Sequence, residues 1–419
     1  MEKKIVFENG LRAVLVPIEG MFSVAAGMLV ESGCVYENAE NNGISHFIEH
    51  TLFKGTKTRN SFQISDAIDS VGGQINAFTA KEFTCYYTKT TSEYLETSLD
   101  LLSDMLLNSV FEKAELDKER GVVLEEIAMT EDTPDDVCLE RLSTAYFGNH
   151  PLGQAILGPK ENIERLTKAD IDKYMASTYA PNNVVIAIAG QFDPEKAAEL
   201  IEKYFVKQND RPKVVLPKTP VAMPQNRILF REKDIEQCHM AFASQSIKYD
   251  DPLLYHYMIL GNIFGGTMTS RLFRSIREDK GLAYTVFCYN STYKDCGTNV
   301  VYAGVNPKNV EKAARAIKEE FSKLKKDKIT KEEFNRGKAQ TVGAYLFSQE
   351  NTVSIMNIYG KSLLFNDSLF DMEKRIAKMK AITYEEVCDI IGDYCNLENV
   401  SASLVGKSDC DILKIIKGE

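Results

Sequence analysis

Residues 46 to 50 read His46-Phe47-Ile48-Glu49-His50, the pattern H-x-x-E-H. On a helix, residues four apart share a face, so His46 and His50 can hold one metal ion together while Glu49 stands beside them. Zinc accepts imidazole readily, and a catalytic zinc site leaves room for water next to a carboxylate able to take its proton. The chemistry implied is metal-assisted hydrolysis. Two imidazoles hold zinc weakly, so a third donor is required, and a carboxylate is the expected type. The acidic segment between Phe111 and Met129 offers several. Within it Glu119 and Glu126 lie two helical turns apart on one face, and Glu125 is rotated from that line by about 100°. The other histidines, His150, His239 and His256, lack ligand spacing.

The runs Gly33 to Glu37, Gly43 to Thr56, Gly72 to Thr79, Glu119 to Glu126 and Ser270 to Tyr284 together resemble the pitrilysin (insulinase) family of zinc metallopeptidases, in particular its half-length, mitochondrial-processing-peptidase-like branch. The resemblance spans essentially the whole chain. It implies that Glu126, seventy-six residues after His50, is the third metal ligand and Glu119 its neighbour, with one Zn2+ per chain. Glu49 is then the general base. It further implies that Asn76, Ala77 and Phe78 lie on an exposed edge strand that pairs with the substrate backbone, an arrangement that holds extended peptides with little demand on side-chain identity. Arg277 and Tyr284 are expected to contact bound peptide and stabilise the charge that develops on the scissile carbonyl.

The activity expected is therefore that of a zinc endopeptidase acting on extended or unfolded peptides. Two other classes stand beside it: a non-catalytic structural or regulatory subunit of a processing-peptidase-like assembly, and a metal-binding module without hydrolytic activity. The resemblance also implies association in pairs, as a homodimer or as a heterodimer with a related chain.

The elements that must position these residues fall into two halves. Pro212, Pro217, Pro220 and Pro224 punctuate a segment with little helical periodicity, and 207–226 is expected to be a linker. The domains expected are 1–206, zinc-binding and catalytic, and 227–419, homologous and without metal ligands but carrying Arg277 and Tyr284. In the first half a helix at 61–71 leads through Gly72-Gly73 to strands within 75–88 and helices at 92–107 and 113–129. The second repeats the order with a helix at 269–279, strands at 283–289 and 298–305, and helices at 309–324 and 331–347. Overlaying Phe111 to Glu115 on Ile329 to Glu333 pairs Glu126 with Ala344. Both halves close on apolar strands ending in glycine, 184–190 and 400–406. The fold class expected is α+β, two homologous α/β-sandwich domains, each a mostly antiparallel sheet covered by helices.

A chain of 419 residues is long enough for two real cores. Met1-Glu2-Lys3-Lys4 passes straight into the alternating segment 5–17, folded by Asn9-Gly10 into a hairpin, so no secretory signal is expected, and no apolar run reaches membrane-spanning length. Nine cysteines, odd in number and without a C-x-x-C pair, read as reduced thiols of a cytoplasmic protein. A net charge of -10 argues against nucleic acid as a partner and is compatible with basic peptide substrates.

Overall fold

The computed structural model describes residues 2–209, 211–217 and 222–419, so residues 210 and 218–221 of the expected linker lie outside the described residues. The alternating N-terminal segment forms β1 (Lys3–Val6) and β2 (Arg12–Pro17), paired antiparallel with Lys3 opposite Leu15. Between them Gly10 takes the left-handed backbone that a tight hairpin demands (φ 92°). The strands β3 (Ser23–Val30), β4 (Gln74–Thr79), β5 (Thr84–Thr91) and β6 (Val184–Gly190) complete a sheet ordered β1-β2-β6-β3-β5-β4. Strand β6 sits between β2 and β3 and is buried along its whole length, which is why Val184 to Gly190 reads as an unbroken run of small and apolar residues.

The second sheet uses β7 (Ile228–Arg231), β8 (Cys238–Ser246), β9 (Ala283–Thr292), β10 (Gly297–Val305) and β11 (Ser401–Val405), ordered β7-β11-β8-β10-β9. Matching β2, β6, β3, β5 and β4 to β7, β11, β8, β10 and β9 reproduces the order strand for strand. Each sheet has one parallel pair, β2 with β6 and β7 with β11, and is otherwise antiparallel. The fold is thus the α+β arrangement expected, with the same mixed sheet built twice.

The chain forms two compact units, and they are not separated by one cut. The first comprises Met1–Ile127, Ala155–Thr219 and Phe347–Asp371; the second comprises Ala128–Gln154, Pro220–Leu346 and Met372–Glu419. The helix Thr352–Asn366, late in the sequence, packs on β2, β3 and β6 of the first sheet. Close approach is built into that contact: a Cβ on Gly27 would meet the Met356 side chain, and one on Gly360 would meet Leu29 and Ala187. Conversely, the helix Pro134–Phe147 packs on β8 and β11 of the second sheet, where Cys138 Sγ lies 3.2 Å from the His239 carbonyl. These two helices begin at equivalent places in the repeat, since Pro134 follows Lys113 by the same interval as Thr352 follows Lys331. They are exchanged, so the compact units do not follow the expected boundaries 1–206 and 227–419. An amphipathic pattern shows that a helix has an apolar face but not which of two like sheets will cover it.

In the first unit the core joins Phe47 and Ile48 to Leu99, Leu102 and Met105 of the helix Leu95–Asn108 and to Met28, Tyr86 and Ile186 from the sheet. Among the described residues no helix is long and apolar enough to cross a membrane.

Candidate metal centre

The motif helix runs from Ile44 to Thr51 and is seated by its N-terminus. Its cap is Gly43, held at φ 100°, where a Cβ would stand 2.5 Å from the Leu157 carbonyl oxygen. No residue with a side chain fits there. The buried Glu37 carboxylate accepts hydrogen bonds from the Gly43 and Ser45 backbone N–H groups and from Asn42 Nδ2, each at 2.8 Å, satisfying donors that a helix start leaves open. Ile44, Phe47 and Ile48 enter the core, which turns His46, Glu49 and His50 to the opposite side.

Glu119 and Glu126 come from the glutamate helix Lys113–Asp132, whose Leu116, Glu119 and Val123 form its buried stripe. Ligand atoms of His46, His50 and Glu126 lie within 4.8 Å of one another, and among the described residues no other group of three or more His, Cys, Asp or Glu is so placed. Glu126 Oε2 is 3.6 Å from His46 Nε2 and 3.3 Å from His50 Nε2. Glu125, one residue earlier, is exposed.

The donor set fits a zinc ion. His50 Nδ1 stands 2.8 Å from Glu119 Oε1, and Glu119 Oε2 takes a bond from Lys54 Nζ at 2.7 Å. An ionised carboxylate only accepts, so the neutral His50 ring carries its proton on Nδ1, and its Nε2 lone pair faces Glu126. Burial, with the neighbouring His50 adding to it, pushes His46 down to about 4, so this imidazole is neutral near pH 7. His46, His50 and Glu126 each turn one ligand atom to the same point, an arrangement that a cation placed there would satisfy. Burial works to lower His50, but the Glu119 bond and the charges of Glu126, Glu119 and Glu49 outweigh it and raise its pKa. A metal would take the place of that extra proton.

Glu49 lies next to the donors. Burial raises its carboxyl above the usual range, with a further push from Glu126, and the Thr79 hydroxyl and His50 offset part of the rise. Thr79 Oγ1 donates to Glu49 Oε2 at 2.5 Å. Thr79 closes β4, which is an edge strand of its sheet. The hairpin bond from Ala80 N–H to the Phe83 carbonyl (2.8 Å) fixes the antiparallel alternation, so residues 76 and 78 exchange ladder bonds with β5 while Ala77 and Thr79 turn their backbone groups to the open edge. Ala77 N–H accordingly bonds only locally, to Asn76 Oδ1 at 2.8 Å. Ala77 packs on the core side, whereas Phe78 meets Phe83 edge-on at 5.6 Å.

Arg277 and Tyr284 lie in the second unit, at the end of the helical segment Phe273–Asp279 and the start of β9. The Arg277 guanidinium stacks between the rings of Phe273 and Tyr284, 4.7 Å from each, and Tyr284 is 73% exposed. Both line an open pocket of about 770 Å³ with Glu236, Glu278 and Asn306. Sequence reading did not single out Glu37, Lys54 or Thr79 for these roles. Each lies inside a run that carries the family resemblance, and only the folded contacts show what it touches.

The model of the insulinase family, peptidase family M16, matches residues 14–160, and that of the M16 inactive domain matches residues 165–341. A Bacillus subtilis protein named uncharacterized zinc protease YmxG is 38% identical over 387 residues, covering 92% of this chain and 94% of that relative. A Streptomyces coelicolor protein, likewise named an uncharacterized zinc protease, is 32% identical over 416 residues, 96% of this chain and 89% of its own length. Among solved structures, a protease from Helicobacter pylori superposes with a TM-score of 0.90 at 22% identity, covering 97% of this chain and 99% of the other, a likeness of fold.

Proposed function

The chain belongs to the insulinase family, peptidase family M16, and on that premise we propose that it is a zinc-dependent endopeptidase acting on extended or unfolded peptides. The observation that carries the reading is the convergence of His46, His50 and Glu126 on one point, with Glu49 beside them and an open sheet edge adjoining. A single zinc ion per chain, held by His46 Nε2, His50 Nε2 and a Glu126 carboxylate oxygen, would supply a Lewis acid that polarises the scissile carbonyl and makes water acidic enough to react at neutral pH.

The remaining steps belong to the protein's own groups. Ala77 and Thr79 offer outward backbone N–H and C=O groups to which an extended peptide adds as a further strand. Glu49 takes the proton of the attacking water and returns it to the leaving amine, a role suited to a carboxyl that burial raises above the usual carboxylate range. Arg277 and Tyr284 contact bound peptide and offset the developing negative charge. Nine cysteines without a disulfide support residence in the cytoplasm. We take the working form to be a homodimer, which sedimentation analysis tests.

The deciding experiment is cleavage of a mixed peptide library read by mass spectrometry, with a chelator control and with the Glu49→Gln variant. The parent should cleave, the chelated protein should not, and Glu49→Gln should keep its zinc but lose hydrolysis because a neutral amide cannot act as base. Zinc bound without cleavage of any library member would instead favour a metal-binding module or a non-catalytic subunit.

A further inference from the structure

We propose that Thr79 is a positioning residue for this hydrolysis, its hydroxyl fixing the Glu49 carboxylate against the strand edge that receives the peptide. The proposal rests on the peptidase reading above. Thr79 Oγ1 donates to Glu49 Oε2 at 2.5 Å, within the short range of hydroxyl bonds to an ionised acceptor. Among the described residues no other hydrogen bond reaches the Glu49 carboxylate, so one contact sets its rotation and Oε1 is left to meet a proton. The hydroxyl itself is held in place. Thr84 Oγ1, 3.4 Å away on the facing strand, donates its own proton to the Ser32 carbonyl at 2.9 Å and does not compete for Glu49. Thr79 stands opposite Thr84 in the register of β4 and β5.

The position of Thr79 gives that contact its consequence. Its backbone groups face the open edge, where the substrate backbone would pair, while its side chain holds the base. One residue therefore places both the peptide and Glu49, and the distance from base to scissile amide is set within a single strand position. Valine has nearly the shape of threonine and suits a strand equally well, so a purely structural role at position 79 would survive the exchange.

The test compares Thr79→Val, Thr79→Ser and Thr79→Ala with the parent, measuring kcat and KM on one peptide, zinc affinity by chelator competition, and thermal stability. Loss of a hydrogen bond to a charged group predicts that Thr79→Val and Thr79→Ala lower kcat about ten- to a hundred-fold with KM and zinc affinity near parental, while Thr79→Ser stays within about threefold. Parental kcat in Thr79→Val, or equal losses in the serine and alanine variants, would overturn the assignment. So would a loss that tracks zinc affinity or stability in every variant. An inactive zinc-replete parent overturns the peptidase reading and this proposal with it; an active parent beside an equally active Thr79→Val overturns the Thr79 assignment alone.

Discussion

His50 Nδ1 stands 2.8 Å from Glu119 Oε1, and this contact decides which way the metal-facing nitrogen of His50 points. Glu119 is 4% exposed, and each of its oxygens is used, the second by Lys54 Nζ. Burial works to raise its carboxyl, but the bonds from His50 and Lys54 outweigh it and hold Glu119 below the usual carboxylate range. An ionised Glu119 keeps the proton of neutral His50 on Nδ1 and the Nε2 lone pair free. Partners of this kind typically change metal affinity by about ten- to a hundred-fold when replaced. Glu119→Gln should therefore weaken zinc retention by that order in a chelator competition, and Lys54→Met should act in the same direction with a smaller effect. Parental affinity in Glu119→Gln would reduce the contact to packing.

The adjacent carboxylates Glu125 and Glu126 should separate cleanly. Glu126 Oε2 faces both imidazoles, whereas Glu125 is turned to solvent. Metal titration should show sharply weakened zinc binding in Glu126→Gln and parental binding in Glu125→Gln. The opposite ranking would place the ligand one residue away from the geometry described.

Much of this arrangement could be read from local sequence pattern, and the unread part has a physical cause. His46, Glu49 and His50 lie within two helical turns, so their shared side follows from helix geometry alone. Glu119 and Glu126 share a face for the same reason, while the choice of that helix as the third donor's source came from the resemblance. The repeated succession of elements along the chain was legible, each half closing on a short apolar run, 184–190 and 400–406, whereas the order of strands within each sheet depends on pairing between distant segments and was not. Contacts across the fold were less accessible. Nothing in the run Asn76 to Thr79 says that the Thr79 hydroxyl meets Glu49, because that depends on how β4 passes the motif helix. Nor does the pattern of Pro134–Phe147 or Thr352–Asn366 tell which sheet each will cover, since the two sheets present similar faces.

The metal-free protein should show a pH-dependent stability that His46 explains. In the unfolded chain an ordinary histidine takes up its proton near 6.5, while burial and the neighbouring His50 hold folded His46 at about 4. The unfolded state therefore binds more protons in that window, so the contribution of His46 is complete above about 6.5 and is lost as pH falls to about 4. The shift is worth roughly 3 kcal/mol. His50 acts oppositely: its raised pKa stabilises the fold below 6.5, a contribution lost as pH rises through the folded value. Denaturant unfolding of chelator-treated parent and His46→Gln isolates the first effect. The parent should lose stability relative to the variant between pH 6.5 and 4, and a constant difference across that window would contradict the assignment.

Pairing of the substrate with the edge of β4 makes a prediction about the peptide rather than the enzyme. Only alternate residues of an added strand turn their N–H groups toward the sheet edge, because Ala77 and Thr79 face outward while residues 76 and 78 are engaged with β5. N-methylation removes one backbone donor and adds bulk where it stood. A series of substrates methylated singly at successive positions flanking the cleaved bond should therefore show raised KM at every second position and near-parental KM between. Each lost main-chain bond is worth about 1 kcal/mol, with steric exclusion adding to it, so affected positions should rise at least about fivefold. A side-chain-driven mode of binding predicts instead an effect that follows residue identity and has no period of two. Equal sensitivity at adjacent positions would remove strand addition on β4 from the mechanism while leaving the metal centre untouched.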